Sequence, residues 1–152
     1  MTSGLIREKV VTGRLAWIRE MLNGIAALPL HDAAVFTQDP RNVAAAESYL
    51  RRALEALLDL GRHILAKGFG LATSEYKEIP IGLRRAGVLT DDQAHLMREM
   101  AGYRNRMVHF YDEISTDELF QICAEQASDI AHLADHLAHW TSEHPEQVDR
   151  SL

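Results

Sequence analysis

The sequence has little of what holds small secreted, metal-bound or membrane proteins together. Its 152 residues include one cysteine, Cys123, so no intrachain disulfide can form and a reducing compartment is expected. No apolar run approaches the roughly 18–20 residues of a membrane span. The first residues have neither the basic flank nor the apolar core of a signal peptide. We therefore expect a cytoplasmic protein.

Positive charge is also scarce. Sixteen Lys and Arg residues stand against 22 Asp and Glu, and the formal net charge is −6. Such a chain cannot hold nucleic acid non-specifically over its whole surface, because that binding needs Lys and Arg to neutralise phosphates. A local basic cleft is compatible with the composition. At this length one domain is expected, and its core needs no metal or disulfide.

Helical periods cover most of the chain, and no period-two stretch predicts a sheet. We predict four long helices and one short one. They run from about Ser3 to Leu28, from Asp39-Pro40 to Gly68, within Ser74–Ala86 (the short one), from Thr90, and from Ser115. The expected fold is all-α, an antiparallel helical bundle with the short helix as a cross-piece. Residues 1–143 form this single domain, and residues 144–152 are expected to be a frayed polar tail.

Local signals set the predicted boundaries. Asp39 can cap the second helix and Pro40 suits its first position, while Thr90–Gln93 and Ser115–Glu118 read as capping boxes. Pro80 must either kink the short helix or lie where it begins. The segment Leu30–Gln38 has no clear period and is expected to be a loop. On the first helix, the apolar face is predicted to contain the residues Ile6, Val10, Trp17, Ile18, Met21, Leu22 and Ile25.

Chemically capable side chains crowd into Gly102–Tyr111, at the end of the fourth predicted helix. Arg104 interrupts an apolar row there, and because a lone buried guanidinium is very costly it must reach solvent, an acidic partner or a cleft. Taken singly, the residues are ordinary. The stem of Arg104 can pack while its head stays in water, and His109 can sit where the helix dipole favours its charge.

Together these residues suit cleavage of RNA without a metal ion. His109 can move a proton near neutral pH, and Arg104 can stabilise charge on phosphoryl oxygens. Asn105 lies one turn before His109 and could orient the imidazole or bind substrate. On an ideal helix, however, Arg104 and His109 are rotated by about 140°. Either the helix ends before His109, or a second chain completes the site.

The pattern Arg104-x4-His109-Phe110-Tyr111 resembles the Arg-x4-His-x-Tyr signature of HepT-like toxins, a branch of the HEPN superfamily. The segments Tyr49–Leu65 and Leu83–Leu89 resemble that family's second helix and the turn before its motif helix. The similarity extends from about Asp39 to Trp140. It implies a HEPN-like bundle that forms a homodimer through the motif helices.

The resemblance also implies a function. It predicts the toxin of a type II/VII-like toxin–antitoxin pair, a metal-independent endoribonuclease with no cofactor, whose catalytic residues are Arg104 and His109 with Asn105 in support. The implied partner is an MntA-like minimal nucleotidyltransferase antitoxin that AMPylates Tyr111. Arg98 and Arg106 flank the motif and are predicted to contact RNA. The alternatives are a non-catalytic HEPN module that binds a nucleotide or docks a nucleotidyltransferase, and a helical scaffold for an antitoxin complex.

Other polar and aromatic residues, outside the motif, have simpler structural interpretations. The histidines His132, His136 and His139 lie at i, i+4 and i+7, a spacing that allows a metal site but favours a polar stripe beside the core. Four arginines in pairs are expected to be solvated, or to extend an RNA path if the fold brings them to the motif: Arg51, Arg52, Arg84 and Arg85. We expect Cys123 to be in the core, and Tyr103 to pack between helices rather than stack on a base.

Overall fold

The computed structural model describes residues 4–109 and 114–151, which are mostly helical. The helices are α1 (Glu8–Ala26), α2 (Ala33–Gln38), α3 (Pro40–Phe69), α4 (Glu78–Arg85), α5 (Asp91–Val108), α6 (Thr116–Gln121) and α7 (Ala127–Glu143), and the π-helical segment Ile122–Gln126 joins α6 to α7. The predicted all-α bundle is confirmed. Helix α3 contacts each of the other six described α-helices. Among the described residues, no helix combines the length and apolar character that crossing a bilayer requires.

Helix α3 is the centre of the bundle. Asp39 caps its start by accepting a hydrogen bond from the Arg41 N–H at 2.9 Å, with Pro40 in the first turn, as predicted. Its end differs from the prediction, because the helix continues past Gly68 and closes at Gly70, whose φ is +66°. Gly68 serves close packing instead. A Cβ there would lie 2.8 Å from Cδ1 of Ile6.

The predicted starts of α5 and α6 are confirmed. Thr90 and Gln93 form a reciprocal capping box. The Ser115 hydroxyl oxygen accepts from the Glu118 N–H at 3.1 Å. In a complete capping box the Glu118 carboxylate would accept a hydrogen bond from the Ser115 backbone N–H. Here the carboxylate binds Arg106 instead.

Two expectations about the connections need correction or completion. The segment Leu30–Gln38 is not all loop, because it contains α2, which Asp32 caps and whose Phe36 is fully buried. A six-residue helix is too short to show a period in the sequence. Pro80 is the third residue of α4, inside the first turn, where its missing N–H costs no intrahelical bond.

The buried face of α1 is rotated from the predicted one. Its fully or nearly buried residues are Val11, Ile18, Met21 and Ile25, whereas Trp17 is 38% exposed. Ile6 precedes the helix in a two-residue strand, β1 (Ile6–Arg7). The prediction was right for Ile6, Ile18, Met21 and Ile25 and wrong for Trp17. Apolar residues occur on both sides of this helix, so periodicity alone did not exclude Trp17 from the buried face.

The chain ends in a structured segment, contrary to the expected frayed tail and the expected absence of any sheet. After a short 3-10 helix (Pro145–Gln147), strand β2 (Val148–Asp149) pairs in parallel with β1. The Arg7 N–H donates to Nε2 of His63 on α3 at 3.0 Å, which anchors this pair to the bundle. Strands of two residues are too short to produce an alternating pattern.

Candidate functional site

The site begins with the partner of Arg104. From α5, Arg104 donates through Nε (3.0 Å) and Nη2 (2.9 Å) to Oε2 of Glu55 on α3. The other carboxylate oxygen of Glu55 accepts from Arg51 at 2.8 Å. Both Arg104 and Glu55 are about three-quarters buried, with side-chain exposures of 25% and 24%. Arg104 therefore has the acidic partner that its place in an apolar row required.

Tyr76, in the segment between α3 and α4, contacts Arg62 of α3 and Arg104 of α5. The guanidinium carbons of Arg104 and Arg62 lie over its ring, 4.6 and 4.8 Å from the centroid. Its hydroxyl donates to Oδ1 of Asp59 at 3.0 Å. Burial, followed by the charge and hydrogen bond of Asp59, raises the pKa of Tyr76 above its ordinary value. Tyr76 is therefore a neutral phenol, and both guanidinium groups make cation–π contacts with its ring.

A cavity of about 520 Å³ opens beside this pair. Its lining residues are all polar: Arg62, Ser74, Glu75, Tyr76, Arg104, Asn105 and His109. The three residues that sequence predicted to act together, Arg104, Asn105 and His109, thus line one cavity. The Nη1 group of Arg104 donates to the Asn105 amide oxygen at 3.4 Å. Nε of Arg62 is buried and has no hydrogen-bond partner within residues 4–109 and 114–151.

The backbone explains how His109 reaches this cavity. Helix α5 ends at Val108, and His109 has extended backbone angles, φ −108° and ψ 125°. On a continuing helix its side chain would diverge from Arg104 by about 140°. Leaving the helix removes that constraint. Of the two arrangements left open by the sequence, the structure shows the first, because α5 ends before His109 and all three residues line one cavity.

Arg98 and Arg106 are not among the residues that line the cavity. Arg98 is exposed on α5. Arg106 forms a two-bond ion pair with Glu118 on α6, with both distances 2.8 Å. The hydrogen bonds from Arg106 lower the pKa of Glu118. Tyr111 lies outside the described residues, so its role as AMP acceptor stays a prediction.

Sequence reasoning missed most of the cavity's supports. Glu55, Asp59 and Arg62 lie at i, i+4 and i+7 of α3, a polar stripe on a helix whose remaining inner positions are apolar. That stripe was visible in the sequence and could have predicted a polar surface of α3 that faces the motif helix. Tyr76 offered no signal, because it lies in a segment without a period.

The plainer predictions have mixed outcomes. Tyr103 packs against the core and Cys123 is buried, as expected, and burial raises the pKa of the Cys123 thiol to about 12. Arg51 is not simply solvated, because it binds Glu55. A ring nitrogen of His136 lies 2.7 Å from the Val88 carbonyl oxygen. The part of the chain that the structure describes contains no group of three or more His, Cys, Asp or Glu placed to hold a metal ion.

Comparisons with known proteins agree on family and fold. A family model described as "Ribonuclease HepT-like" matches residues 18–137. A tri-AMPylated HEPN toxin of Shewanella oneidensis, solved in complex with an MNT antitoxin, is 21% identical, with a TM-score of 0.78 over 86% of this chain and 97% of that one. A toxin–antitoxin structure with AMP-PNP is 20% identical, with a TM-score of 0.76 over 84% and 97%.

A third similar structure is YutE of Bacillus subtilis, a cytosolic protein of unknown function. It is 18% identical, with a TM-score of 0.72 over 88% of this chain and 89% of that one. No curated protein matches the chain. At these identities the solved structures establish the HEPN fold, and the family model establishes the family.

Proposed function

The chain belongs to the HepT-like ribonuclease family, and from that premise we propose that it is a toxin that cleaves RNA at the cavity between α3 and α5. One observation carries the proposal. Arg104, Asn105 and His109 line the same cavity, although an ideal helix would separate Arg104 from His109 by about 140°. This shared lining supports the proposal that the guanidinium and the imidazole act on one phosphodiester.

The proposed reaction is a transesterification. The ribose 2′-oxygen forms a bond to phosphorus and the bond to the 5′-oxygen breaks, which leaves a 2′,3′-cyclic phosphate and a 5′-hydroxyl. One proton leaves the 2′-hydroxyl and one joins the 5′-oxygen. His109 performs one transfer, and the imidazole of a second copy in a homodimer performs the other. Arg104 stabilises the charge that develops on the phosphoryl oxygens.

The supporting residues prepare Arg104 for this role. Glu55 accepts hydrogen bonds from Nε and Nη2 of Arg104, and the Tyr76 ring covers the face of the guanidinium. We therefore assign the Nη1 edge, which lies beside Asn105, to the phosphate. Arg62 supplies a second cation in the same cavity. Fixing a guanidinium before substrate arrives reduces the reorganisation needed during the reaction.

The test is cleavage of RNA in the presence of a chelator. We expect wild type to cut, and Arg104→Ala and His109→Ala to lose roughly 100-fold or more in rate. His95→Ala, which removes an exposed histidine from the same helix, and Arg19→Ala are matched controls. Wild type that does not cut, or site variants as fast as the controls, would refute the ribonuclease proposal.

The antitoxin is proposed to be a minimal nucleotidyltransferase that AMPylates Tyr111. The toxin from Shewanella oneidensis is AMPylated in its complex, and Tyr111 follows His109 by two residues. The tyrosine oxygen would bond to the α-phosphorus of ATP while pyrophosphate leaves. The added phosphate would bring bulk and negative charge to the motif, where it repels an RNA phosphate.

This modification can be tested by intact-mass measurement after incubation with the nucleotidyltransferase and ATP. Wild type should gain the mass of one or more AMP groups and lose RNA cleavage. Tyr111→Phe should gain none, whereas Tyr103→Phe should gain the same mass as wild type, because Tyr103 packs against the core. Continued labelling of Tyr111→Phe would assign the modification to another residue.

A second candidate is a non-catalytic HEPN module. The observation in its favour is that Glu55 already holds the Arg104 guanidinium, which limits the phosphate contacts that Arg104 can make. Such a module would bind a nucleotide or dock a nucleotidyltransferase without cleaving RNA. The same chelator assay, combined with an RNA-binding measurement, separates the two functions.

A further inference from the structure

A second basic surface lies away from the cavity, where α1 begins. A shallow depression of about 580 Å³ there is lined by Arg7, Lys9, Val10, Gly13, Arg14 and Trp17. We call it the α1 surface. Its three cationic side chains are on exposed residues, and Trp17 is 38% exposed. No side chain stands over Gly13, since nothing lies within 4 Å of the position that a Cβ would take.

Cations from α3 and from the N-terminal strand converge beside this surface. Lys67 of α3 extends towards the N-terminal segment, with its Nζ 3.3 Å from the position of a Cβ on Gly4. His63 lies among the same cations, and after burial the charges of Lys67, Arg7 and Arg14 lower its pKa. In a chain with a formal net charge of −6, this is a local concentration of positive charge.

The nearby carboxylates leave most of that charge uncompensated. Glu8 is bound by Arg150 at 3.1 Å. Asp149 is opposite Arg7 in the backbone register of the two strands, and its carboxylate accepts a hydrogen bond from the Ser151 N–H. Glu20 follows Trp17 by three residues at the far end of the surface. Lys9, Arg14 and Lys67 are in no ion pair with these three acids.

This combination is suited to a single-stranded nucleic acid. Lys and Arg along a groove follow the phosphate backbone, and an exposed aromatic ring offers a face on which a base can stack. An acidic protein segment would match the charge, but it would not use the open indole face of Trp17 as a base does. The absence of a side chain at Gly13 lets a sugar–phosphate chain approach the helix.

The position of the α1 surface relates it to the cavity. Arg62 lines the cavity and His63, the next residue of α3, lies beside the α1 surface. Because consecutive helical residues are rotated by about 100°, Arg62 and His63 project from adjacent faces of the same turn of α3. A strand held in the cavity can pass around this turn.

We propose that the α1 surface, through Arg7, Lys9, Arg14 and Trp17 and with Lys67 beside it, binds single-stranded RNA that extends beyond the nucleotides held in the cavity. The inference rests on the proposed ribonuclease function for its choice of substrate. It predicts that binding affinity increases with the length of the RNA, because a short RNA occupies the cavity alone while a longer one also reaches α1.

The experiment is fluorescence anisotropy with 2′-O-methyl RNA, which lacks the attacking hydroxyl and so stays intact. Wild type should bind an oligonucleotide of about 20 nucleotides more tightly than one of about six. Lys9→Gln/Arg14→Gln should weaken binding of the longer RNA about tenfold and reduce the slope of log K against log salt by about 1.4, the value for two lost phosphate contacts. Trp17→Ala should weaken it at least fivefold, through lost stacking.

The matched control is Arg19→Gln/Arg41→Gln, which removes the same charge from exposed positions elsewhere. It should bind like wild type, and circular dichroism should show that all variants fold. Equal binding by the two double variants, or loss of nucleotidyltransferase binding instead of RNA binding, would overturn the proposal. Cleavage of the six-nucleotide RNA, made with ordinary ribose, is expected to be unchanged in the α1 variants. If wild type does not cleave the six-nucleotide RNA, that result contradicts the ribonuclease function and not the role of the α1 surface in binding.

Discussion

At the scale of single residues, the site depends on how Glu55 holds Arg104. Two hydrogen bonds to one carboxylate oxygen, with both side chains about three-quarters buried, fix the guanidinium against Tyr76. Pairs that are partly withdrawn from water are coupled more strongly than surface pairs, although remaining exposure screens them. Glu55 is therefore as much a part of the site as the motif residues.

We expect Glu55→Gln to lower the free energy of unfolding by roughly 1–2 kcal/mol, because it leaves Arg104 with a weaker partner in a partly buried place. Urea unfolding measures this. In a double-mutant cycle with Arg104→Gln, the coupling should be on the order of 1 kcal/mol. Additive effects would show that the observed pair contributes no net coupling.

His63 makes stability depend on pH. Burial, followed by nearby positive charge, lowers its folded-state pKa below the ordinary value of 6.5, and its Nε2 accepts the Arg7 N–H. Well above pH 6.5 the ring is neutral in both states. As pH falls from 6.5 towards the folded pKa, the unfolded chain takes up a proton that the folded chain does not, so the contribution is lost.

The measurement is the urea midpoint at pH 7.5 and at pH 5.5. Wild type should lose more stability over this interval than His63→Gln, which has no titrating ring. His95→Gln, at an exposed position, should retain the wild-type difference. If His63→Gln showed the same pH dependence as wild type, other groups would be responsible.

At the scale of the elements, α3 is shaped by the neighbours that approach it. A Cβ on Gly61 would lie 2.8 Å from Cγ2 of Ile79, 3.0 Å from Cδ1 of Leu83 and 3.2 Å from Cε of Met97. This glycine lets α4 and α5 pack closely on α3, on the turn that also carries Arg62. The same contact therefore helps to set the distance between the walls of the cavity.

Two glycine substitutions should have opposite effects. Gly61→Ala should destabilise by about 1–3 kcal/mol through overpacking. Gly13→Ala, with open space around it in the middle of α1, should stabilise by about 0.5–1 kcal/mol, because alanine favours the helix. Chemical denaturation of both variants tests this. A stable Gly61→Ala variant would mean that α4 can move away without cost.

At the scale of the whole molecule, the proposed chemistry needs two copies. A single chain offers one motif imidazole to a reaction with two proton transfers, and we propose a homodimer through the α5 helices. Val108, the last residue of α5, is a large apolar residue that is 42% exposed, next to His109. An interface there would place two cavities side by side.

We expect light scattering after gel filtration to give the mass of a dimer for wild type. Val108→Glu should shift the mass towards the monomer and reduce cleavage by at least tenfold, since a buried unpaired charge opposes association. Val35→Glu, at a similarly exposed valine on α2, should leave the dimer intact. A monomeric wild type that still cleaves RNA would contradict the need for two copies.

Much of the fold was predictable because its signals are local. Caps at Asp39, Thr90 and Ser115 mark helix starts within a few residues, and apolar periods mark the long helices. Helix α2, strands β1 and β2, and the exposure of Trp17 were not predicted. Each depends on short elements or on a choice between two apolar faces, and only packing against the remaining chain makes that choice.

For the site, sequence by itself determined the motif residues and the chemistry that they allow, because Arg104, Asn105 and His109 are close along the chain. Tertiary structure decided whether they could act together. The end of α5 at Val108 turns His109 to the cavity. Arg62 and Tyr76 line the cavity and Glu55 holds Arg104, and these three residues lie 28 to 49 positions away from Arg104 in the chain. Contacts over such separations depend on how the helices pack, which local periodicity does not specify.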